Sequence, residues 1–468
     1  MPPSKNEHDR DDRPAAPPPW GRREIYRSVQ SIGLSSIGGA LVFYDFIIFV
    51  FLAPVIGKLF FPATTSDWLP AVQSFGIFAV GYLFRPLGGV VLGHFGDLFG
   101  RRRLFAFSIL LMSIATLGIS ALPTYQTIGI AAPLLLIALR CLQGIAIGGE
   151  VPGAWAFICE HIPRRHAGLA CGLICTGLAF GILLASGVTG ILNALFTSAE
   201  IEAFVWRIPF LIGGLFGLPA LYARWCLKET PVFSRMIESR TLVPELPLKA
   251  VLRDHSASVV FSILLTWAMS AGVVVAALMT ASLLQMAYGY SAEDAMFATI
   301  VGTSFIILGS VLAGVMVDKI GAGNYLMGGS LFFAMATFAF YAMAGISYGA
   351  MFVLYSVMGV AIGLMAAVPY VMVMVFPARV RVTGISFSYN ISYAVFGGLA
   401  PIVLAYLIHL TPMVVAYYLL FASVLGFGLG AYLAVHPRML DPDFGDFDVR
   451  RQEDETGYPA SATSFRPQ

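Results

Sequence analysis

The chain has 468 residues, of which 58% are hydrophobic and only 12% are charged, and its formal net charge is +2. A soluble globular protein is roughly 45–50% apolar and about 25% charged. This chain therefore has too few charged groups to cover its apolar surface, and most of it is expected to lie in lipid. The small net charge excludes a polyanion such as a nucleic acid as a partner for the bulk of the chain.

The N-terminal residues 1–29 are rich in Pro, Arg and Asp. They are expected to form a disordered tail rather than a signal peptide, because the apolar core of a signal peptide begins sooner and is short. The first apolar run therefore predicts a spanning helix that is retained in the mature protein and not removed with a signal peptide.

Twelve apolar runs follow, each close to the length of about 20 residues that a helix needs to cross the hydrocarbon of a bilayer. They predict an all-α integral membrane protein with twelve transmembrane helices. The runs lie at about residues 34–57, 71–93, 104–122, 131–159, 167–193, 207–226, 256–279, 294–317, 325–345, 349–375, 382–408 and 412–435.

The longest link, residues 227–255, separates the first six runs from the last six. This spacing predicts an N-terminal six-helix bundle over 30–226 and a C-terminal one over 256–436, followed by a disordered polar tail over 437–468. When both termini are placed in the cytoplasm, 24 of the 28 Lys and Arg residues fall on the cytoplasmic side, in agreement with the positive-inside rule. A wrong number of spans would scramble this one-sided distribution.

A short motif occurs after the second run and again after the eighth. Gly93, Asp97 and Gly100 fit the pattern G-x-x-x-D-x-x-G, and Asp318 occupies the place of Asp97 in the second copy. Six runs separate the copies, so the two halves have the same orientation. Parallel six-helix repeats that enclose a site at the midplane of the membrane are a transporter architecture.

The motif predicts a cytoplasmic gate. Gly93 and Gly100 let two helix ends approach closely. Asp97 and Asp318 can accept hydrogen bonds from the N-terminus of a neighbouring helix, and Arg101 can pair with Asp97 on the cytoplasmic side. The second copy lacks the Arg run, so its contact is expected to be weaker. The alternative is a basic turn that only sets the orientation of the chain.

Few ionisable residues lie inside the predicted spans, and all of them lie in the first half. A charge buried in a span costs at least a few kcal/mol, so it usually faces a partner or a water-filled cavity. The residues are Asp45 in the first run, Arg85 in the second, and Arg140 and Glu150 in the fourth, which ends at Glu160. Glu160 is expected to be a surface group.

Helical geometry places part of this set on one face. Gln143 and Glu150 are seven residues apart and share a face of the fourth helix, and Arg140 lies about 60° from Gln143. We expect this face to border a cavity, with Arg140 holding a substrate carboxylate by two hydrogen bonds. Asp45 or Glu150 would carry the proton, because desolvation lets a carboxylate load and release a proton near neutral pH.

Each ionisable residue also has a structural interpretation. Asp45 could be a fixed partner of Arg85 or Arg140, and Glu150 could pin two helices together. Arg85 could brace the gate or extend toward the membrane interface. These alternatives remain open at the level of the sequence.

The second half offers uncharged polar groups instead. Tyr389 and Asn390, in the eleventh run, could orient a substrate or simply bond across helices. The predicted substrate-binding set is therefore Arg140, Gln143, Asn390, Tyr389 and Arg85.

The chain resembles the major facilitator superfamily, and within it the metabolite:proton symporter group. The resemblance covers the first six spans densely and the tenth and eleventh spans well. It rests on motifs in a fixed order, among them Arg85-Pro-Leu-Gly-Gly89, the segment from Gly93 to Arg103, Arg140-Cys-Leu-Gln143-Gly144, Gly148-Gly149-Glu150, Trp206-Arg207-Ile-Pro-Phe210, Glu229-Thr230-Pro231 and Arg381-Val-Thr-Gly384.

The resemblance implies secondary, proton-coupled uptake of a small polar metabolite across the cell inner membrane. Members of the group carry organic acids such as citrate, 2-oxoglutarate and shikimate, or zwitterionic osmolytes such as proline and betaine. Osmolyte carriers with osmosensing activity often have a C-terminal coiled coil, and the polar tail here has no heptads. The sequence therefore favours an organic acid, with a proline or betaine symporter as the alternative. A proton antiporter can use the same scaffold.

Other classes of function lack their sequence signatures. The chain contains no P-loop for ATP and no metal-binding or dinucleotide motif, so neither an enzyme nor a cofactor or metal is predicted. The predicted partners are a small polar metabolite, protons and the lipid bilayer, with no nucleic acid, and a monomer is sufficient. A transporter-like membrane sensor, which would bind without net flux, is the alternative of another class.

Overall fold

The structure, a computed structural model, describes residues 22–61, 69–99, 101–160, 162–225, 247–378, 380–408, 411 and 413–440. Within these residues the chain forms helices and contains no strand. Each of the twelve predicted spans falls on a helix, and these helices are numbered α1–α12 in chain order. The prediction of an all-α protein with twelve spans is confirmed.

The N-terminal half contains the first six spanning helices. Of these, α1, α2, α4 and α5 are each long and apolar enough to cross a membrane. The apolar part of α3, Ala106–Ala121, is shorter, and α6 passes the test only together with the preceding segment Ser198–Val205, from which it is bent by 46°. The bounds are α1 (Arg22–Phe51, continued by Ala53–Phe60), α2 (Leu69–Leu83, continued by Arg85–Phe99), α3 (Arg101–Ala121), α4 (Ala131–Cys159), α5 (Ala167–Leu195) and α6 (Arg207–Trp225).

The C-terminal half contains six further helices that are each long and apolar enough to span a membrane. Two of them change their winding on the way: α7 is a π-helix over Ala271–Met279, and α11 is one over Tyr393–Gly398. The bounds are α7 (Ser256–Tyr288), α8 (Ala292–Ile320), α9 (Ala322–Met343), α10 (Tyr348–Val375), α11 (Arg381–Leu407) and α12 (Val414–Val435).

Two segments outside the predicted spans are helical. Helix α1 begins at Arg22, inside the tail expected to be disordered, because the polar residues there continue the same helix beyond its apolar part. The central link contains the helix Pro247–Asp254. Residues 1–21, 226–246 and 441–468 lie outside the described residues.

Helices α2 and α4 pack at nearly backbone contact in the N-terminal half. A Cβ atom added to Gly144 would collide with the carbonyl oxygen of Gly81, and one added to Gly148 would collide with the carbonyl oxygen of Arg85. Glycine is therefore required for this approach.

The C-terminal half repeats this packing between α8 and α10. A Cβ atom on Gly359 would collide with the carbonyl oxygen of Gly302, and one on Gly363 with that of Ile306. The separation in sequence between Gly81 and Gly302 equals the separation between Asp97 and Asp318. The internal repeat of the sequence therefore extends into the packing of the helices, and Arg85 is equivalent to Ile306.

The two halves meet along two seams, where α5 packs against α8 and α2 packs against α11. A Cβ atom on Gly172 of α5 would lie 2.6 Å from the carbonyl oxygen of Ser310 in α8. On the other seam, a Cβ atom on Gly89 would lie 2.5 Å from Nδ2 of Asn390. The candidate site lies between these seams.

Candidate substrate and proton site

A cavity of about 40 Å³ lies between the halves. Helices α1 and α5 line it from the N-terminal half, and α7, α8, α10 and α11 line it from the C-terminal half. Its walls are largely apolar, with Phe43 and Met269 among them, while Ser310, Tyr389 and Tyr393 supply hydroxyl groups. None of the described lining residues is charged. The volume holds only a few water molecules, so the site is contracted in this conformation.

The π-helical segments of α7 and α11 both reach this cavity. Val273 and Ala277 of the first segment, and Tyr393 of the second, are among the lining residues. Short π-helical stretches occur frequently at functional sites. Hydropathy does not predict these segments, because the apolar pattern is the same for both kinds of winding.

Asp45 lies on α1 in the core of the N-terminal half and is 2% exposed. Its Oδ1 atom has no hydrogen-bond partner among the described residues. A Cβ atom on Gly213 of α6 would collide with this oxygen, so the glycine leaves the space that the carboxylate fills. In the described part of the chain, no ion pair joins Asp45 to Arg85 or Arg140, as a fixed structural partner would require.

Arg140 and Gln143 form a polar network inside the N-terminal half. Nη1 of Arg140 donates to Oε1 of Gln143 at 2.7 Å and to the carbonyl oxygen of Phe46 at 3.4 Å. Nε2 of Gln143 donates to the hydroxyl of Thr116 on α3 at 2.8 Å. The guanidinium also lies over the rings of Phe46 and Phe49, with 4.6 and 4.4 Å to their centroids. The two residues interact as their spacing predicts, but neither of them lines the cavity.

Arg85 lies on the seam between α2 and α11 and is fully buried. Its Nε donates to Oδ1 of Asn390 at 3.2 Å. Nδ2 of Asn390 donates in turn to the carbonyl oxygens of Gly148, at 2.6 Å, and Ser386, at 2.8 Å. Asn390 thus connects the two halves. The ring of Tyr389 flanks the guanidinium, with 5.0 Å from Cζ of Arg85 to the ring centroid.

Glu150 also lies away from the cavity. Its side chain is 1% exposed on α4. The adjacent Gly149 packs against α2, where a Cβ atom would lie 2.8 Å from Cβ of Leu92. Burial makes the charged form of Glu150 costly, as it does for Asp45, so both carboxylates meet the physical requirement for a proton carrier.

Asp318 joins the two halves on the α5–α8 seam. Its carboxylate accepts hydrogen bonds from the backbone amides of Gly168, at 2.8 Å, and Leu169, at 2.9 Å. These amides belong to the first turn of α5, where a negative charge also opposes the helix dipole. The contact is of the kind predicted for a gate, between an aspartate of one half and a helix N-terminus of the other.

The first copy of the motif is described only in part. Gly93 faces α11, where a Cβ atom would lie 4.0 Å from Oγ of Ser386. Helix α2 contains Asp97 and α3 begins at Arg101, but the side chains of these two residues, and the whole of Gly100, lie outside the described residues.

The expectation that Glu160 is a surface group is wrong. Its side chain is 1% exposed and forms an ion pair with Arg381, with 3.7 Å between Oε1 and Nη1. Arg381 also donates from Nε to the carbonyl oxygens of Val373 and Phe376. The pair joins the end of α4 to the start of α11 and is thus a second contact between the halves, near the predicted gate. The sequence does not reveal it, because the partner comes from the other repeat.

Sequence reasoning missed several residues around the site, namely Thr116, Gly213, Tyr82 and Tyr393. A signal existed for Tyr393 alone, since it follows Tyr389 by four residues and so shares a face of α11. The other three are placed only by the packing of helices that are distant in the sequence.

Comparison with known families places the fold. The family model of the Major Facilitator Superfamily matches residues 35–401. The chain belongs to this superfamily and is a multi-pass membrane transporter rather than an enzyme.

Among curated proteins, the proline/betaine transporter of Salmonella typhimurium is 30% identical to this chain over 415 residues, which cover 85% of this chain and 81% of the relative. The putative proline/betaine transporter of Staphylococcus aureus is 30% identical over 407 residues, covering 86% of this chain and 87% of the relative.

Solved structures with the same fold include the proton:xylose symporter XylE bound to 6-bromo-6-deoxy-D-glucose. Its TM-score is 0.72 at 16% identity, and the match covers 88% of this chain and 96% of XylE. A partially occluded, inward-open form of XylE from E. coli matches with a TM-score of 0.68 at 16% identity, over 87% of this chain and 97% of that chain. At this identity the likeness establishes the fold alone.

Proposed function

We propose that the protein is a proton-coupled symporter that takes up a zwitterionic osmolyte of the proline or betaine kind. The relatives named above are proline/betaine transporters or putative ones, at 30% identity over most of both chains. They favour the osmolyte alternative over the organic acids that the sequence favoured. The proposed location is the cell inner membrane, with both termini in the cytoplasm, and a monomer is sufficient.

The observation that carries this proposal is the absence of charge from the described lining of the cavity. A dianion or trianion, such as 2-oxoglutarate or citrate, would bring more negative charge into this low-dielectric space than a single neighbouring arginine could compensate, and that is costly. A zwitterion has no net charge, and its apolar body matches the apolar walls. Tyr389 and Tyr393 supply hydroxyl groups for its polar ends, and the Ser310 hydroxyl, which donates to the carbonyl oxygen of Ile306 at 2.9 Å, can serve as an acceptor.

The C-terminal tail, whose lack of heptads favoured organic acids, is not part of the binding site. A coiled coil would act in sensing osmotic pressure, whereas the substrate is selected between the two halves within the membrane. The lack of heptads in residues 437–468 is therefore compatible with an osmolyte as the substrate.

Asp45 is the proposed proton carrier. It is buried in a spanning helix, its Oδ1 has no hydrogen-bond partner among the described residues, and no arginine ion pair holds it in the charged form there. Binding a proton removes a buried charge and so lowers the cost of closing the protein around the site. Glu150 remains the second candidate for this role.

The network of Arg140, Gln143 and Thr116 is proposed to link the proton site to the rest of the bundle. Thr116 lies on the same side of Gly213 as Asp45, since a Cβ atom on Gly213 would lie 3.3 Å from Cγ2 of Thr116. The prediction that Arg140 itself holds a carboxylate stays a prediction, and the position of Arg140 away from the cavity favours a coupling role.

Transport would proceed by rocking of the two halves about the cavity. The cytoplasmic contacts, formed by Asp318 with the first turn of α5 and by Glu160 with Arg381, would break when solute and proton leave to the cytoplasm. Asp97 and Arg101 are proposed to act in the same way at the equivalent place.

Uptake into proteoliposomes with an imposed pH gradient tests the function. The panel contains radiolabelled proline, glycine betaine, citrate, 2-oxoglutarate and shikimate. We expect proline or glycine betaine to accumulate when the outside is acidic, and a protonophore to abolish this accumulation. Accumulation of the organic acids alone would reject the osmolyte assignment, and specific binding without net flux of any compound would identify a sensor.

A further inference from the structure

Arg85 is a buried cation without an anion beside it. Its Nη1 and Nη2 atoms have no hydrogen-bond partner in the described part of the chain, and no carboxylate there forms an ion pair with it. Its Nε is engaged by Asn390. A buried guanidinium is costly unless a negative group pairs with it. This arrangement points to an anion that comes from outside the protein.

Three tyrosine rings compensate part of this charge. Cζ of Arg85 lies 5.1, 5.0 and 4.7 Å from the ring centroids of Tyr82, Tyr389 and Tyr393, respectively. The rings of Tyr82 and Tyr393 are stacked, with 5.7 Å between centroids and 8° between planes. The faces of such rings attract cations, and clusters of them bind quaternary ammonium groups. The cluster therefore suits a substituted ammonium as well as a guanidinium.

This cluster borders the cavity. Tyr389 and Tyr393 line it, and the rings of both tyrosines also flank Arg85. The internal repeat provides an independent argument, because the residue equivalent to Arg85 is Ile306, which lines the same cavity from α8. A hollow between two equivalent halves is expected to extend to α2 as it does to α8, and the buried Arg85 occupies the equivalent position on α2.

We propose that Arg85 binds the carboxylate of the zwitterion with Nη1 and Nη2, while the ring faces of Tyr389 and Tyr393 hold its cationic end. The inference rests on the proposed osmolyte transport and names the residues that select such a substrate. The carboxylate supplies the acceptors and the negative charge that Arg85 lacks. A ligand with the cation alone would leave Arg85 unpaired and would place a second positive charge near it.

Glycine betaine and choline form the decisive pair of probes, because both contain a trimethylammonium group and only betaine has a carboxylate. Their affinities are measured by binding to the purified protein, with the wild type, Arg85→Gln and Arg207→Gln compared. Arg207 is the matched control, since it lies at the opposite end of α6 from the gate and contacts the rings of Trp206 and Phe204 at 4.4 and 5.7 Å.

We expect the wild type to prefer betaine over choline, and Arg85→Gln to weaken betaine about 30-fold, the scale of a lost charge-assisted pair, while choline binding is kept or improved. Arg207→Gln should keep the preference. An unchanged ratio of the two affinities in Arg85→Gln would overturn the assignment of Arg85 and leave osmolyte transport standing. A wild type that binds neither betaine nor proline would overturn both proposals.

Two further variants cover a failure of Arg85→Gln to fold. Arg85→Lys keeps the charge but offers a compact ammonium in place of the two-pronged fork, so betaine should bind about tenfold more weakly and choline equally well. Tyr393→Leu removes a ring face and should weaken betaine and choline together. An unchanged betaine-to-choline ratio in Arg85→Lys, or unchanged binding in Tyr393→Leu, contradicts the proposal.

Discussion

Arg140 in the N-terminal half and Tyr355 in the C-terminal half occupy equivalent positions of the repeat, each one helical turn before the glycine, Gly144 or Gly359, that meets the partner helix. Each side chain lies against an equivalent glycine of that helix. A Cβ atom on Gly81 would lie 2.8 Å from Nη2 of Arg140, and one on Gly302 would lie 3.0 Å from the ring of Tyr355.

Tyr355 is neutral, and its hydroxyl donates to the carbonyl oxygen of Ala277 at 3.1 Å. One backbone scaffold thus presents a cation in one half and a phenol in the other.

The same contrast holds along the rest of the spans. The buried ionisable residues Asp45, Arg85, Arg140 and Glu150 all lie in the N-terminal half, whereas the described core of the C-terminal half buries hydroxyl and amide groups until Arg381 at its cytoplasmic end. Binding a proton or an ion changes the energy of a buried charge far more than that of a hydroxyl. The candidate groups for proton coupling therefore lie in the N-terminal half, whereas the described core of the C-terminal half is neutral up to Arg381.

Among the variants that test this difference between the two halves, Asp45→Asn should have the largest effect. A driving force equivalent to 100 mV is worth about 2.3 kcal/mol per charge, or about 50-fold accumulation for one coupled proton. The asparagine cannot carry a proton, so we expect proton-driven accumulation to vanish while exchange of labelled for unlabelled substrate continues. Proteoliposome uptake measures both. Asp254→Asn, an exposed carboxylate beside Arg253, serves as the control. Full accumulation by Asp45→Asn would move the proton site elsewhere.

Arg140→Gln and Tyr355→Phe test the equivalent pair directly. Removing the guanidinium leaves Oε1 of Gln143 without its donor and should lower kcat/KM for uptake by about 100-fold, since a buried, hydrogen-bonded charge is worth about 3 kcal/mol. Tyr355→Phe loses one hydrogen bond, worth about 1 kcal/mol of stability, and should leave uptake within about threefold. Equal losses in the two variants would show that the charge at Arg140 has no special role.

Gly144→Ala and Gly359→Ala test whether the shared scaffold is equally tight in the two halves. Each added methyl group meets a carbonyl oxygen of the partner helix, so we expect similar losses of stability, of about 2–3 kcal/mol. Thermal unfolding in detergent measures them. Gly428→Ala, where no heavy atom lies within 4 Å, should be neutral or slightly stabilising. A large difference between the first two variants would disprove equivalent packing.

Asp318→Asn should have the smallest effect. The amide keeps one acceptor oxygen for the first turn of α5 and loses the charge that opposes the helix dipole, a change of about 1 kcal/mol. Uptake should slow about threefold to tenfold while substrate binding is retained. Asp97→Asn should slow uptake more, because the Arg run stands beside that copy. Loss of binding in a folded Asp318→Asn protein would contradict a role confined to the gate.

The number of spans, the repeat and the presence of buried charge could all be predicted from sequence, because each follows from hydropathy and spacing alone. The contact of Arg140 with Gln143 could be predicted for the same reason, since the residues are one turn apart. The sequence does not predict what this face of α4 packs against. Helical periodicity shows which residues share a face, but it does not show which neighbouring helix that face contacts. That choice depends on Phe46 and Thr116, which belong to other helices.

Contacts between the two repeats could not be predicted from the sequence, for a related reason. Glu160 and Arg381 carry ordinary surface residue types at helix ends, and only the approach of α4 to α11 buries them together. The cavity and the contact of Arg85 with Asn390 likewise depend on how helices of the two halves pack together. A prediction from one sequence therefore identifies the charged residues well and their partners poorly.

Trp155 gives the protein an optical property of its own. Its indole is fully buried on α4 and meets the ring of Tyr389 edge-on, with 5.0 Å between centroids. Indole emission responds to the polarity and motion of its immediate neighbours, so movement of the Tyr389 wall alters the fluorescence of this side chain. With the other five Trp residues replaced by Phe, the unlabelled protein would show directly, in real time, when its interior opens.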